Sequence, residues 1–521
     1  MFSFESVSPR TTPAVLAAVA ADSPEREFIV ADDGVLTYEA ALRACTSIAA
    51  RLRSAGMERG DRIGVLLPNG VRWTAALLGA HAAGLCAVPL NTWFRPKELI
   101  GVTRRAGLRA IIADADIAED NRAAMDFMVG VGRYVGTFRW TRGDAAPVGL
   151  PPAGEPAGAE PISVDESDHA LLLFTSGSSA EPKAVPLTHG AVVRNAHAVG
   201  VRQGVIPGDR FWLASPMFFV FGCANALPNA LTHAATLCVQ ERFDPLLALN
   251  FIERNRCTVY YAVAPITRAL AACPDLKNHD ISSLRTGTAN ATPEDLRLAI
   301  EVLGVSEVCN AYGLTEGLGH TTITSHLDPP QVRITTQGRA LPTQQLRIVG
   351  VDGSPVRDGQ AGEIQIRGAI MEGYLDATDA HATAFDQDGW FRTRDIGVID
   401  EDGRLHYLGR SSEMMKVKGI NVSPAEVELA LVEHHLVDEA YVFGLPTPDG
   451  DEAVGCALVT TSRGAQRAGL AADVASWARD QMSSYKIPAR IWVMDSADLP
   501  LTPTGKVSKR LLKDQLSKDR L

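Results

Sequence analysis

The feature that most constrains the fold of this chain is an alternation of helix and strand patterns between Thr37 and Ala113. The segment TYEAALRACTSIAARLRSAG has the period of an amphipathic helix and reaches a common helix stop at Gly56. A strand follows in DRIGVLLPN, and then a helix in VRWTAALLGAHAAG, a strand in AVPL, a helix in KELIGVTRRAG and a strand in LRAIIAD. Strands separated by helices form βαβ units, so the sequence predicts a parallel sheet covered by helices.

The same alternation resumes further along the chain and then changes character. The segments DRFWLAS, ATLCVQ, CTVYYAVA, LRTGTAN and VSEVCNAYG are predicted to be strands of the second half of the parallel sheet. After Gly338 the predicted strands are short and separated by glycine-rich turns, in QQLRIVGVDGSPV, GQAGEIQIRG and RLHYLGR. This pattern indicates a small antiparallel sheet or barrel. A compact region of helices and strands is expected from Val422 to Leu521, and a Pro, Gly and Ala-rich loop or linker from Asp144 to Pro161.

The composition excludes several classes of protein. With 521 residues, two or more domains are expected, and a net charge of −11 without a basic run argues against nucleic-acid binding. The eight cysteines are scattered without zinc spacing, so we expect reduced thiols of a cytoplasmic protein. The uncharged stretch from Trp73 to Phe94 contains a histidine, a proline and several glycines, so we expect a buried helix and strand rather than a transmembrane segment.

The segment Leu171 to Gly190, LLLFTSGSSAEPKAVPLTHG, has the composition of a loop that binds a triphosphate. An apolar strand pattern leads into small and hydroxyl residues, and Lys183 follows. Small residues let backbone N–H groups approach an anion, and the lysine adds a positive charge. The Walker pattern G-x-x-x-x-G-K-[ST] is absent from the chain. The alternative interpretation is a Ser/Gly surface turn.

Six segments, in this order, resemble the adenylate-forming superfamily, which contains acyl-CoA synthetases, firefly luciferase and the adenylation domains of peptide synthetases. They are TSGSSAEPKAV at 175–185, AYGLTE at 311–316, GEIQIRG at 362–368, GWFRTRDIG at 389–397, LGRSSEMMKVKGINVSPAEVE at 408–428 and TPTGKVSKR at 502–510. The resemblance implies an α/β fold with a large N-terminal domain, residues 1–409, made of two parallel α/β subdomains plus a small β-barrel. A small mobile α+β C-terminal domain, residues 410–521, would follow a hinge near Ser412.

The resemblance implies an acid–CoA ligase that uses ATP, Mg²⁺ and CoA. A carboxylic acid would attack ATP to give an acyl-adenylate and pyrophosphate, and CoA would then displace AMP. The phosphate loop would supply Thr175, Ser176, Gly177, Ser178, Ser179 and Lys183. The family commonly has glycine where this chain has Ala180 and Ala184, and an added methyl group restricts φ.

Further site residues are implied by the other segments. Ala311, Tyr312, Gly313 and Thr315 would contact the nucleotide, with the Tyr312 ring stacked on adenine, unless it is a core tyrosine. Glu316 would be the magnesium-linked carboxylate and, with Thr315 and Lys506, would form the catalytic group. The alternative for Glu316 is a solvated acidic residue of a turn. Asp395 and Arg410 would bind the ribose, although Arg394 replaces the usual glycine before Asp395.

The acyl and CoA sites are less well defined by the sequence. Phe219, Phe221 and Gly222 in SPMFFVFG are expected to line the acyl site, with core packing as the alternative, and Phe219 stands where histidine is common. Asn290 would contact adenine or cap the turn at Thr292. Gly419 would line the pantetheine tunnel.

Three alternatives to the complete ligase reaction stay open at this point. The protein could pass the acyl group to a carrier protein, carry out one half-reaction, or bind nucleotide or thioester without adenylation. We expect an apolar, bulky or cyclic acid and no nucleic-acid partner, and we leave a homodimer open as the oligomeric state.

Overall fold

The protein is described by a computed structural model in residues 2–129, 136–142, 163–175, 183–375, 384–411, 413–417, 420–447, 452–460, 469–482, 484–501 and 507–516. Packing divides the chain into two compact units. The first contains Met1–Leu346 and Ile366–Phe391, and the second contains Arg347–Gln365 and Arg392–Leu521. The functional division after residue 409 stays a prediction, and the proposed hinge residue Ser412 lies outside the described residues.

One sheet of the first unit is built from the alternating segments at the start of the chain. Its six described strands are, in spatial order, Gly136–Trp140, Ala110–Asp114, Arg62–Leu66, Cys86–Pro89, His169–Thr175 and Lys183–Thr188. Neighbouring strands run parallel except for the last two, which pair antiparallel. The predicted parallel sheet is therefore present, with a hairpin at one edge.

A second sheet of the first unit has seven described strands. In spatial order they are Glu307–Cys309, Thr286–Asn290, Val259–Val263, Arg210–Leu213, Thr236–Val239, Glu27–Ala31 and Gly34–Thr37. All neighbours are parallel apart from the last pair. The apolar residues of its central strands are buried on both faces, as is usual where helices cover a parallel sheet.

Helices connect these strands and cover both sheets. Threonine side chains accept backbone N–H groups at the starts of several helices, among them Thr11, Thr37 and Thr188. The predicted helix before Gly56 ends at Ser54, and Gly56 has a φ of +85°. The described α-helices of this unit are Thr12–Asp22, Tyr38–Ser54, Val71–Ala82, Pro96–Ala106, Ala115–Asp120, Arg122–Val129, His189–Gln203, Leu227–Thr232, Pro245–Asn255, Ala264–Ala271, Pro293–Arg297 and Pro330–Thr335, and the π-helical segments are Phe221–Ala226 and Leu298–Val302.

The segment VSEVCNAYG, predicted as one strand, is divided between two sheets. Glu307–Cys309 belongs to the seven-stranded sheet, whereas Ala311–Tyr312 pairs in a small sheet with Thr322–Ile323, which in turn pairs with Arg339–Ala340. The buried Asn310 marks the break, because its Oδ1 accepts the Ala311 N–H over 3.0 Å. This local bond competes with the regular ladder, so the chain turns at the carboxyl end of the sheet.

The second unit combines short sheets with three described helices. A four-stranded sheet has the order Gln344–Val349, Gly362–Gly368, Phe391–Ile399 and Leu405–Arg410, and the boundaries between the units fall within the first three of these strands. A hairpin joins Met415–Val417 to Ile420–Val422. A three-stranded sheet contains Val437–Pro446, Glu452–Thr460 and Arg490–Met494, and it packs with the helices Pro424–Val432, Leu470–Gln481 and Lys509–Leu516.

These observations confirm the predicted mixed α/β architecture with two largely parallel sheets and a separate small C-terminal region. The stretch from Trp73 to Phe94 is the buried helix Val71–Ala82 and the strand Cys86–Pro89, as predicted. Among the described residues, no helix is long and apolar enough to span a membrane. The cysteines are unpaired, and all except the partly exposed Cys273 are buried.

Candidate functional site

The hairpin that carries the predicted phosphate loop closes at its base. Thr175 and Lys183 are directly opposite each other in the antiparallel pair of strands. The connecting residues Ser176, Gly177, Ser178, Ser179 and Ala180 lie outside the described residues. Ala184, the other departure from glycine, lies in the strand opposite Phe174, and its carbonyl accepts the Leu375 N–H over 3.0 Å. Because a regular strand suits any L-residue, this alanine introduces no strain.

Lys183 and Glu316 are brought to the same side chain. The hydroxyl of Tyr374 donates a hydrogen bond to Glu316 Oε1 over 2.8 Å, and Lys183 Nζ lies 4.7 Å from the centre of the Tyr374 ring. The backbone of this segment is also attached to Glu316, whose carbonyl accepts the Met371 N–H over 2.9 Å. Glu316 is 9% exposed, which excludes the alternative of a solvated turn residue. A cation and a carboxylate beside a phosphate-type loop can together bind a metal-bound polyphosphate.

Sequence reasoning missed Tyr374. It lies in the segment MEGYLD, shortly after the strand Gly362–Gly368, and no local pattern distinguishes it from a turn tyrosine. Its partners Lys183 and Glu316 are distant from it along the chain, so only the folded chain shows the relation between the three residues.

The segment AYGLTE leaves the carboxyl end of the seven-stranded sheet and forms a tight turn. The Tyr312 carbonyl accepts the Thr321 N–H over 2.8 Å, and the ring is buried. A Cβ atom on Gly313 would come within 2.1 Å of the Gly319 carbonyl oxygen, so only glycine fits at this position. Thr315 and Glu316 then begin a short 3-10 turn that ends at Gly317.

Two buried amide side chains form hydrogen bonds with the backbone of this turn. Asn195 Nδ2 donates to the His320 carbonyl over 3.0 Å, and Gln344 Nε2 donates to the Gly317 carbonyl over 3.0 Å. Both amide side chains are buried. Glu316 is therefore presented by a backbone whose orientation is set by side chains from two other segments.

The aromatic segment Pro216–Phe221 follows another carboxyl end of the same sheet. The ring of Phe218 lies 4.6 Å from that of Phe219 and 5.4 Å from that of Trp93, which meets it edge-on. Trp93 is 56% exposed, so the rings form a partly open apolar surface. A Cβ atom on Gly222 would come within 2.6 Å of Met217 Cα, so this glycine permits close backbone packing.

Asn69 anchors the aromatic segment and was not identified from the sequence. Its Nδ2 donates to the carbonyls of Ser215 and Gln240, each over 3.0 Å, and its Oδ1 accepts the Met217 N–H over 2.7 Å. Asn69 is buried and comes from the loop after the strand Arg62–Leu66 of the six-stranded sheet. It therefore joins chain ends from both sheets immediately before Phe218.

Asn290 ends the strand Thr286–Asn290 at the same sheet edge, but its side chain lies outside the described part of the chain. The capping of the next helix belongs to Thr292. Its Oγ1 accepts the Asp295 N–H over 3.3 Å, and the Asp295 carboxylate accepts the Thr292 N–H over 3.3 Å. Both alternatives for Asn290, the adenine contact and the cap of the turn at Thr292, stay predictions.

In the second unit, Asp395 and Arg410 are directly opposite each other on neighbouring strands. Arg410 Nε lies 3.3 Å from Asp395 Oδ1, and Asp395 is buried whereas Arg410 is exposed. Burial, with the negative charge of Asp395, raises the pKa of the nearby Tyr407 hydroxyl. Arg394 has a φ of +60°, in the left-handed region. The glycine that the family usually has at this position would adopt this conformation without strain, whereas arginine adopts it at an energetic cost.

Lys506 and Gly419 lie outside the described residues, and the structure shows only the residues that flank them. Leu501 and Val507 form an antiparallel bridge on either side of the segment that contains Lys506. Shortly after it, Lys509 Nζ lies 2.7 Å from Glu428 Oε1, a carboxyl whose pKa is raised by burial and lowered in part by that lysine. Val417 pairs with Ile420 on either side of Gly419.

Comparison with known proteins adds an independent line of evidence. The family model described as AMP-binding enzyme matches residues 16–375, and that described as AMP-binding enzyme C-terminal domain matches residues 426–506. A methyl-dioxo-octahydro-indenyl-propanoyl:CoA ligase of Mycobacterium tuberculosis is 33% identical over 519 residues, which cover 97% of this chain and 99% of that protein.

Two further relatives agree. A feruloyl-CoA synthase of an Amycolatopsis species is 30% identical over 498 residues, covering 94% of this chain and 95% of its own. The crystal structure of ATP-bound MatB from Rhodopseudomonas palustris superposes with a TM-score of 0.86 at 25% identity, covering 98% of this chain and 99% of that structure. The similarity therefore extends over both units of the chain.

Proposed function

The chain belongs to the AMP-binding enzyme family, and we propose that it is an AMP-forming acid–CoA ligase. In the first step, a carboxylate oxygen of the acid attacks the α-phosphorus of ATP, and the bond to the pyrophosphate leaving group breaks. In the second step, the sulfur of CoA attacks the acyl carbon, and the bond to AMP breaks. The observation that carries this proposal is the full-length similarity to CoA ligases, combined with the contacts of Lys183 and Glu316 to Tyr374.

We assign the phosphate end of ATP to the hairpin and the Tyr374 segment. Lys183 and the residues from Thr175 to Ser179 would hold the β- and γ-phosphates, since a lysine at the base of such a loop neutralises their charge. Glu316 would hold Mg²⁺. Among the described residues no group of three or more His, Cys, Asp or Glu side chains could bind a metal by itself. A single buried carboxylate fits Mg²⁺, which commonly takes one or two carboxylates together with substrate phosphates and water. When bound, Mg²⁺ would neutralise charge on the phosphates.

The nucleoside end of ATP would be held by the segment AYGLTE and by Asn290. Ala311, Tyr312, Gly313, Thr315 and Asn290 would contact adenine and the α-phosphate. At Gly313 the backbone passes so close to the Gly319 carbonyl oxygen that no side chain would fit.

Asp395 and Arg410 would bind the ribose, the carboxylate accepting from its hydroxyl groups and the guanidinium donating to oxygen atoms.

Lys506 would act in adenylation, because negative charge accumulates where the carboxylate meets the phosphate and a positioned cation stabilises it. Gly419 would line the path of the pantetheine arm in the second step.

Phe219, Phe221 and Gly222 would line the acyl site, where the partly open rings favour an acid with an apolar body. The cytoplasmic location and a homodimer stay proposals.

Exchange of labelled pyrophosphate into ATP, stimulated by carboxylic acids, tests the first step, and CoA-thioester formation tests the second. We expect Lys506→Ala to lower acid-dependent exchange by about 10² to 10³-fold. The same variant should still convert supplied acyl-adenylate to the thioester. Lys513→Ala is the matched control, because Lys513 lies on the C-terminal helix Lys509–Leu516 and its Nζ contacts Glu452 Oε1, in the strand Glu452–Thr460, over 3.5 Å.

Exchange that persists in Lys506→Ala would refute the assigned role. Exchange without any thioester product would favour a carrier-protein acceptor, and no exchange with any acid would refute adenylation.

A further inference from the structure

Arg394 has a backbone conformation that is unusual for a residue inside a strand. Its φ of +60° is left-handed, although it is the fourth residue of the strand Phe391–Ile399. The other described residues that combine a positive φ with a side chain are Ala234, Arg256 and Leu318. They follow the ends of helices or of a helical turn, where this conformation is common. Among the described residues other than glycine, Arg394 is therefore the only one with a left-handed backbone inside a strand.

Two hydrogen bonds hold Arg394 in this conformation. Its N–H donates to Glu363 Oε1 over 3.0 Å, and its carbonyl accepts the Ser411 N–H over 2.8 Å. Glycine would adopt the same conformation without strain, whereas an L-residue with a Cβ atom does so at an energetic cost. Residues held in strained conformations cluster at binding and active sites, so the strain directs attention to what the arginine side chain does.

The side chain of Arg394 is exposed, and its guanidinium group forms no hydrogen bond or ion pair with the part of the chain that the structure describes. The carboxylate of Glu363 accepts the backbone N–H instead. The next residue, Asp395, is buried and lies 3.3 Å from Nε of the exposed Arg410. An uncommitted guanidinium group therefore directly precedes, along the chain, the pair of residues proposed to bind a ribose.

We infer that Arg394 binds a phosphate group of a nucleotide substrate, and this inference rests on the proposed function. A guanidinium group is planar and can donate two parallel hydrogen bonds to phosphate oxygens. Asp395 is assigned to a ribose, and in both ATP and CoA a phosphate group is bonded to a ribose. The α-phosphate of ATP and the ribose 3′-phosphate of CoA are the two sources of this chemistry. The glycine that the family usually has at this position could not make the contact.

The test measures equilibrium binding to the full chain by isothermal titration calorimetry, so it needs neither an acid substrate nor turnover. The ligands form two pairs that differ by one phosphate group, AMP with adenosine and CoA with 3′-dephospho-CoA. The ratio of the two Kd values in a pair measures what the phosphate adds to binding. We expect this ratio to fall about fivefold or more for at least one pair in Arg394→Ala and in Arg394→Gly, because a charged hydrogen bond is lost. Arg394→Lys should lose less, since it keeps the charge.

Comparison of the variants separates the side chain from the backbone. Arg394→Gly removes the strain together with the guanidinium group, so its urea midpoint should be higher than that of Arg394→Ala, which keeps a left-handed L-residue. A purely structural role would not combine weaker phosphate binding with a more stable backbone. Arg392→Ala is the matched control, because Arg392 is also an exposed arginine of this strand but has no positive φ. It should leave both ratios unchanged.

The outcomes distinguish this inference from the proposed function. If the wild-type protein binds neither AMP nor CoA, the proposed function fails. A loss in the AMP pair assigns Arg394 to the α-phosphate, and a loss in the CoA pair assigns it to the 3′-phosphate. If the wild-type protein binds these ligands and both ratios are unchanged in Arg394→Ala and Arg394→Gly, Arg394 contacts no phosphate and the inference is overturned.

Discussion

At the scale of single residues, Tyr374 is the side chain that links Lys183 to Glu316 in the candidate site. One aromatic side chain contacts both the lysine at the base of the phosphate hairpin and the carboxylate proposed to hold Mg²⁺. The hydroxyl group orients Glu316, while the ring faces Lys183. The two contacts use different parts of one side chain, so substitution can separate them.

Tyr374→Phe keeps the ring beside Lys183 and removes the hydrogen bond to Glu316. Hydrogen bonds to charged groups contribute about 1.5–3 kcal/mol, so we expect kcat/KM for adenylation to fall about tenfold or more. The Mg²⁺ concentration for half-maximal exchange should rise several-fold. Tyr260→Phe serves as a control for the loss of a buried hydroxyl group. An unchanged Mg²⁺ dependence in a folded variant would contradict the assigned role of Tyr374.

At the scale of secondary-structure elements, loops at the carboxyl ends of parallel strands present the candidate site. The aromatic segment and AYGLTE each follow a strand of the seven-stranded sheet, and Asn290 is the last residue of a third strand. Such strand ends lie on one edge, which is where ligands bind in open α/β sheets. Asn69 adds a link from the six-stranded sheet to this edge.

Asn69→Ala tests this link. The substitution removes the partner of the Met217 N–H and the donor to two carbonyls, so we expect a loss of about 2 kcal/mol in the free energy of unfolding. The KM for the acid should rise more than the KM for ATP, because the released backbone leads directly into Phe218 and Phe219. Urea unfolding and steady-state kinetics measure both effects. Equal changes in the two KM values would mean that Asn69 supports only the general fold.

At the scale of the whole molecule, buried neutral histidines set the response to acid. Burial lowers the pKa of His81, His233 and His320 to about 4, and it also lowers the pKa of His189. In the unfolded chain these groups titrate near 6.5. The unfolded state therefore binds more protons below that pH, and stability falls as the pH decreases from about 6.5 towards 4.

Each of these histidines should lower the free energy of unfolding by up to about 1.4 kcal/mol for each pH unit of decrease in that range. We expect the urea midpoint to be lower at pH 5.5 than at pH 7.5, and the drop to be smaller in His81→Gln. Glutamine can retain polar contacts to Thr12 Oγ1 and the Ala170 carbonyl without titrating. His435→Gln supplies the control, because His435 is exposed and belongs to the second unit. An equal drop in wild type and His81→Gln would contradict this interpretation.

The sequence by itself determined the fold class and the chemical character of the protein. Alternating periodicity sets the order of strands and helices, because apolar runs form the buried strands and amphipathic patterns form the helices that cover them. The ordered motifs around Lys183, Glu316, Asp395 and Lys506 identify adenylation chemistry, since residue types near a phosphate are tightly limited by charge and backbone space. Gly313 was likewise predicted as a nucleotide contact from the segment AYGLTE.

Only the tertiary structure decided which distant residues act together. Tyr374 and Asn69 make their contacts across long sequence separations, and no local pattern encodes such contacts. The break at Asn310 was missed because one side-chain hydrogen bond there outweighs strand periodicity.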